Sequence, residues 1–448
     1  LGIEISVADA AKMLCVERTN CRICGQELPK ENVLDLGKQT IVDFLAEGEE
    51  GRGKAPLQLV ACSSCTLLQL RHTVEADTLY RRFFYRSSVN EQMRLALRDV
   101  AVTVRKYVQL KEGDGILDIG VNDGEGLFHY PRSCLRVGFE PAYQLAEEAQ
   151  ARFPDAKIVP DYFNAEAALI VSGGKKYKAC TAVAMFYDLE DPVQFVKDVV
   201  EVLEEDGLFL VQMNYLMLML ENMTFDNISH EHLGYYSFSV MKNLLEQNGL
   251  RVVQVSLNDV NGGSLRILAR KGGRWPRKRA VKKLLASELG FTAERAYKQF
   301  GERVRASMMH LKAFLESLKA AEKVVYAYGA STRGSTLLQT MLGEGKAADL
   351  LMGVAERDPH KIGKKMAGLD LPIVSEQEAR EKADYFLLLP YSFWRSIQER
   401  EKPWMLAGGK FILPVPLPKV VSLVAERTKT EFVLEEKPLE QGLAKAAP

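Results

Sequence analysis

Apolar and polar positions along this chain switch repeatedly between two periods. From residue 90 the apolar spacing is helical (NEQMRLALRDVAVTVRKYVQL), and at 115–118 it gives way to an apolar strand start. Strand and helix then take turns. Runs at 115–119, 136–140, 157–159, 179–184 and 208–214 read as strands with amphipathic helices between them. Such alternation predicts a parallel sheet with helices on both faces. Two further runs, 251–257 and 264–270, are joined by NDVNGG, a turn-rich connection that favours an antiparallel hairpin.

A parallel sheet that ends in an antiparallel hairpin points to the class I methyltransferase fold, whereas a nicotinamide-binding Rossmann sheet ends differently. Residues 286–321 read as a long helical connection. A second α/β unit begins with the strand 323–328, a Gly-rich turn at 329–334 and a helix from Ser335. Its later strands are expected at 350–354, 385–389 and 410–412, and the polar, alanine-rich tail after Glu435 is expected to fray. Upstream, residues 15 to about 80 lack helical periodicity and contain a charged, Gly-rich loop at 47–54. The expected organisation is therefore a zinc-binding module at 15–85, a Rossmann-like methyltransferase domain at 86–273, and a helical connection at 274–321. A second Rossmann-like α/β domain at 322–435 and a tail at 436–448 complete it.

Composition narrows the function. A chain of 448 residues is too long for one core. Its 47% hydrophobic and 26% charged content is that of an ordinary globular protein, and 59 basic residues balance 59 acidic ones. That neutrality argues against a nucleic-acid partner. The basic run at 274–283 reads as a solvated helix face. No apolar run is long enough to span a bilayer and no signal-peptide pattern opens the chain, so a cytoplasmic protein is expected, as a monomer or weak homo-oligomer.

Four of the seven cysteines form two C-x-x-C pairs, Cys21/Cys24 and Cys62/Cys65. Each pair lets two thiolates converge on one ion, and two pairs complete a tetrahedral shell suited to zinc. A filled shell leaves no open position, so one structural Zn²⁺ per chain is expected. Cys15, Cys134 and Cys180 are scattered, as reduced thiols are.

Where the first strand of the sheet gives way to a helix, the chain reads Leu117-Asp118-Ile119-Gly120-Val121-Asn122-Asp123-Gly124. Gly120 and Gly124 remove side chains where backbone must approach a ligand. Glu140, twenty residues past Gly120, ends the next strand and can accept hydrogen bonds from ribose hydroxyls. The turn lacks the G-x-G-x-x-G that seats a pyrophosphate, so a nucleoside without phosphate fits, and S-adenosyl-L-methionine is such a ligand. Asp118, Asn122 and, after the fourth strand, Met185 belong to the same candidate cofactor site.

After the fifth strand comes Phe225-Asp226-Asn227-Ile228-Ser229-His230-Glu231-His232-Leu233-Gly234-Tyr235-Tyr236-Ser237. Ligands in doubly wound sheets bind beyond the strands' carboxyl ends, so this segment should overhang the cofactor. H-E-H lacks the H-E-x-x-H spacing of zinc hydrolases, and a histidine base oriented by a carboxylate is its better use.

The chain resembles the sugar C-methyltransferase family that acts on dTDP-linked 4-keto deoxysugars. The resemblance covers nearly the whole sequence. It rests on the cysteine pairs, Phe84-Tyr85-Arg86-Ser87-Ser88, the Asp-Ile-Gly-x-Asn-Asp-Gly turn, His-Glu-His-Leu-x-Tyr-Tyr-Ser, and Asn261-Gly262-Gly263-Ser264. In the C-terminal part it rests on Tyr328-Gly329-Ala330-Ser331-Thr332-Arg333-Gly334 and Leu389-Pro390-Tyr391-Ser392-Phe393.

The resemblance implies that His232 is the base removing the proton next to the ketone, with supporting roles for Glu231 and for a tyrosine three places before the base. This chain has Ser229 at that place, and its segment Met185-Phe186-Tyr187-Asp188 also departs from the family pattern. His230 joins the candidate catalytic group. Tyr85, Tyr235 and Tyr236 are candidates for the substrate side, where the last two could wall off water. Ser331 and Arg333 would hold a nucleotide diphosphate through backbone N–H groups and positive charge. An N- or O-methyltransferase, a nicotinamide-dependent oxidoreductase and a non-catalytic zinc-ribbon binding protein are the alternatives.

Overall fold

The computed structural model describes residues 15–273, 275–343, 345–425 and 432–439. Six short strands come first: β1 (Cys15–Glu17), β2 (Leu34–Thr40), β3 (Phe44–Leu45), β4 (Lys54–Ala61), β5 (Leu68–Leu70) and β6 (His72–Val74). β1 pairs with β6, while β2, β4 and β5 make an antiparallel sheet.

The middle of the chain is a seven-stranded sheet. Its members are β7 (Gly115–Ile119), β8 (Leu135–Phe139), β9 (Lys157–Val159), β10 (Tyr177–Val183) and β11 (Leu203–Asn214). After β12 (Gly234–Tyr235), which belongs elsewhere, come β13 (Leu250–Asn258) and β14 (Ser264–Lys271). The order is β13-β14-β11-β10-β7-β8-β9. The first five strands are parallel, and β14 inserts antiparallel between β11 and β13. All five residues of β7 are buried, as expected of a central parallel strand covered on both faces. The hairpin therefore closes the sheet as the turn-rich NDVNGG predicts.

The connection beyond it is two helices rather than one. Arg279–Glu288 and Ala293–Ala320 are separated by a break at Gly290, whose φ of +86° suits glycine. The longer helix is no exposed linker. It buries Tyr297, Phe300, Val304, Met308, Leu311 and Leu315, spaced three or four residues apart, and its Tyr297 hydroxyl donates to the Thr66 carbonyl at 3.0 Å.

The C-terminal sheet uses β15 (Val325–Tyr328), β16 (Val354–Glu356), β17 (Lys365–Met366), β18 (Leu371–Ser375), β19 (Tyr385–Leu388) and β20 (Lys410–Leu413). β21 (Lys419–Ala425) and β22 (Phe432–Pro438) finish it. Its ninth strand is β3, from the N-terminal region, which pairs antiparallel with β17. The His-Glu-His segment is captured likewise: β12 pairs with β5 and extends the N-terminal sheet. The N-terminal strands thus pair both with the C-terminal sheet and with the His-Glu-His segment.

Several further sequence expectations shift. The helix expected from Ser335 starts at Thr332, because the Ser331 hydroxyl caps it by accepting the Gly334 N–H at 3.0 Å. The strand expected at 350–354 forms at 354–356, since 347–349 is a 3₁₀ turn. The tail does not fray at Glu435, because β22 continues to Pro438 against β21; 440–448 lie outside the described residues. In the basic run, Arg277 pairs with Glu246 rather than standing free. Among the described residues, no helix is long and apolar enough to cross a membrane.

Candidate active site and metal centre

The two cysteine pairs sit on knuckles built alike. Cys21 N–H donates to Gln26 and Cys62 N–H to Leu67, while Gly25 and Thr66 donate back to the first cysteine's carbonyl. The left-handed residue each knuckle needs is Gly25 (φ +70°) in one and Thr66 (φ +63°) in the other. All four sulfurs lie within 4.8 Å of one another, with Cys21–Cys65 and Cys24–Cys62 at 3.5 Å. A tetrahedral zinc with four sulfur ligands spaces them about 3.8 Å apart, so the shell fits the ion with little adjustment.

The turn after β7 faces a cavity of about 1030 Å³, lined from all three parts of the chain. Gly120 (φ +73°) brings backbone to the cavity, and a Cβ there would meet Met185 at 3.1 Å. Gly124 serves packing instead. It does not line the cavity, and a Cβ on it would strike the Phe153 ring at 2.6 Å. Asn122 adopts φ +54°, a conformation asparagine accepts better than most residues. Its side chain takes the Ser87 N–H at 2.9 Å and donates to the Tyr85 carbonyl at 3.0 Å, tying the Phe-Tyr-Arg-Ser-Ser segment over the turn.

Glu140 accepts the N–H groups of Asn122 and Ala142, each at 2.9 Å. Burial nevertheless pushes its carboxyl up to about 7. Asp118, sealed beneath the turn, accepts the Thr181 hydroxyl at 2.6 Å, and burial raises it to about 6. A carboxylate just past β8 and a glycine at the end of β7, where backbone reaches the cavity, suit the ribose and backbone contacts of an adenosyl ligand.

The His-Glu-His segment divides its labour. His230 is buried, with Nε2 3.0 Å from the Ala55 carbonyl on β4. His232 lines the cavity; its Nδ1 lies 2.6 Å from the Asn227 carbonyl, and its ring packs edge-on against Tyr187 at 4.3 Å between centroids. Enclosure pulls the ring down to about 4. Glu231 also lines the cavity, where burial raises it to about 7, and its carbonyl accepts the Tyr80 hydroxyl at 2.7 Å. No hydrogen bond joins the Glu231 carboxyl to His232 among the described residues; the Asn227 carbonyl orients the ring instead. Ser229 and Tyr236 are buried with hydroxyls lacking partners, and neither lines the cavity. Tyr235 faces a small separate void beside His232.

Ser331 and Arg333 line the same cavity from the C-terminal part of the chain. Arg333 grips Asp226 through both carboxylate oxygens, at 2.8 and 3.1 Å, and also contacts the Tyr391 hydroxyl and the Asn261 carbonyl. Burial works against its charge, but Asp226 more than restores it. This cation ties the C-terminal helix to the loop that leads into the His-Glu-His segment.

The cavity thus gathers Tyr85, Asp118, Gly120, Asn122, Glu140, Met185, Glu231, His232, Ser331 and Arg333, and leaves out Gly124, Ser229, His230, Tyr235 and Tyr236. Sequence reasoning missed Tyr80, Asn227, Asp188 and Lys361. Asp188 and Asn227 lay inside segments that the sequence singles out, whereas Tyr80 and Lys361 carried no signal.

The chain matches three family models: a zinc binding domain over 21–80, a methyltransferase domain over 89–255 and a C-methyltransferase C-terminal domain over 259–416. It is 32% identical over 414 residues to the C-methyltransferase NovU of Streptomyces niveus, covering 90% of this chain and 96% of that protein. Among solved structures, magnesium protoporphyrin IX methyltransferase from Synechocystis PCC 6803 is 12% identical over 41% of this chain and 88% of that one, with a TM-score of 0.34. An S-adenosylmethionine-dependent methyltransferase from Clostridium acetobutylicum ATCC 824 is 12% identical over 40% and 92%, with a TM-score of 0.33.

Proposed function

The chain belongs to the C-methyltransferase family, and from that premise we propose that it methylates a carbon beside the ketone of a nucleotide-linked keto deoxysugar. It is an S-adenosylmethionine-dependent enzyme with a structural zinc site. When bound, the cofactor supplies an electrophilic methyl group on a sulfonium. Gly120, Asn122 and Glu140 would hold its adenosyl part, with Glu140 on the ribose.

The observation that carries the reading is the state of His232. A carbonyl oxygen accepts only, so the Asn227 contact requires the proton on Nδ1 and leaves Nε2 with a lone pair. In this reading Nε2 takes the proton from the carbon beside the ketone, and the electron pair moves onto the ketone oxygen. Glu231, partly protonated at neutral pH, gives the same wall a donor for that oxygen. The segment around Tyr85, tied down by Asn122, lines the cavity beside the turn after β7. An N- or O-methyltransferase would need no donor for an enolate, which disfavours those alternatives.

Incubation with labelled S-adenosylmethionine and a panel of nucleotide-linked 4-keto sugars tests the reading. Mass spectrometry should find a labelled methyl group on a sugar carbon; label on oxygen or nitrogen, or none, would sink it.

A further inference from the structure

We infer that Lys361 is the cation that binds the diphosphate of the substrate, an inference that rests on the nucleotide-linked reading above. The argument begins with charge. Asp118, Glu140, Asp161, Asp188 and Glu231 all line the cavity, so a diphosphate entering it meets a wall rich in carboxyl groups. Among the described residues only two cationic side chains line that cavity, Arg333 and Lys361. Arg333 is committed, because both oxygens of Asp226 already occupy its guanidinium fork.

Lys361 is differently placed. Its ammonium donates to the Ala330 carbonyl at 2.8 Å and forms no ion pair among the described residues. Glu356 and Asp358 influence it electrostatically, but Glu356 spends its oxygens on the N–H groups of Ala330, Arg357 and Asp358. An ammonium has three protons, and one is used here. The side chain is held in place by the rings of Phe44, 4.5 Å from Nζ, and Phe84, at 5.8 Å. Burial lowers its affinity for a proton, which is the condition of a cation short of negative charge.

Its position matches the task. Ala330 immediately precedes Ser331, the cap of the eleven-residue helix Thr332–Leu342. In the first turn of that helix the Gly334 N–H goes to the Ser331 hydroxyl, and the N–H groups of Thr332 and Arg333 have no intrahelical partner. A diphosphate bound there would receive charge from Lys361 and hydrogen bonds from the turn. Phe44 and Phe84, from the N-terminal region, set the ammonium's position, so the zinc-bearing part also shapes the substrate wall.

Calorimetric titration of the full-length, zinc-loaded protein tests this, using thymidine and uridine diphosphates beside the bare nucleosides. The parent protein should bind a nucleoside diphosphate more tightly than its nucleoside. Lys361→Met, which keeps an unbranched side chain of similar length without the charge, should weaken the diphosphate at least tenfold while sparing nucleoside and S-adenosylmethionine affinity. Lys361→Arg should recover part of the loss, and Lys361→Gln should behave like Met. In turnover, KM for the nucleotide sugar should rise with little change in kcat. Equal diphosphate affinity in parent and Lys361→Met would overturn the role of Lys361 alone. A parent protein that binds no nucleoside diphosphate would overturn the nucleotide-linked reading with it.

Discussion

The Nδ1 nitrogen of His232 lies 2.6 Å from the carbonyl oxygen of Asn227, a residue five places earlier in the same loop. Asn227 is itself fixed: its Oδ1 accepts from Asn214 at the end of β11, and its Nδ2 donates to Thr224. The sheet therefore dictates which ring nitrogen carries the proton. His232→Ala should lose about 10²–10⁴ in turnover, the range for a positioned base, while cofactor affinity holds. Exchange of the substrate proton beside the ketone, followed in deuterated water, should vanish with it. Parental exchange in the variant would place the base elsewhere. His230→Ala should instead lower stability by roughly 1–3 kcal/mol, the cost of stranding the buried Ala55 carbonyl, with a smaller effect on rate.

The ring of His232 should remain neutral across the physiological range. Its pKa is pulled down to about 4, so the neutral base is fully present well above that value and is lost only as pH falls through it. Nitrogen NMR of the labelled histidine ring checks this, with the Nδ1–H tautomer expected down to about pH 5. A midpoint near 6.5 would contradict the enclosed geometry.

Glu140→Ala should weaken S-adenosylmethionine binding by roughly 1.5–3 kcal/mol, the range for hydrogen bonds to a charged group. Part of that loss is indirect, because Glu140 also holds the Asn122 and Ala142 N–H groups and hence the turn. Calorimetry that returned the parental affinity would remove Glu140 from the site.

One zinc per chain is expected by metal analysis of protein prepared without added metal. Cys62→Ser should lose the ion and destabilise the protein, because metal binding and folding are coupled in such shells. Its effect should reach the His-Glu-His segment, since β5, three residues past Cys65, is the strand that pairs with β12. Active, folded protein devoid of metal would end the proposal.

Arg333→Ala should act on stability before it acts on catalysis. It strands the buried carboxylate of Asp226, a change that costs about 3 kcal/mol or more when a buried pair is broken. Arg333→Ala combined with Asp226→Asn should recover part of that loss in thermal unfolding. Strict additivity of the two substitutions would mean that the pair does not couple the domains.

Much of the fold was legible from short stretches of residues. The seven-stranded sheet follows from apolar periods read over windows of about ten residues, and its closing hairpin from NDVNGG. The zinc shell follows from two identical spacings, and the candidate cofactor turn from Gly120, Asn122 and a carboxylate twenty residues past that glycine. All of these depend on neighbours along the chain, where local geometry sets the outcome.

Other features needed the folded molecule. β3 has only two residues, too few for any period to show, and it finds β17 more than three hundred residues away because both edges otherwise stay unpaired. The partition of the His-Glu-His segment was equally hidden. Adjacent residues point in different directions, so His230 reaches β4 while His232 reaches the cavity, and a motif cannot tell them apart. Arg333, Asp226 and Lys361 show why charge resists sequence reading. Whether a cation is spent or available depends on which carboxylate the core brings beside it, and Asp226 comes from a loop more than one hundred residues before Arg333. The sequence alone settled which local units form and what chemistry they carry. Burial in cores shared between the N-terminal strands and both larger sheets decided which of those groups face one another.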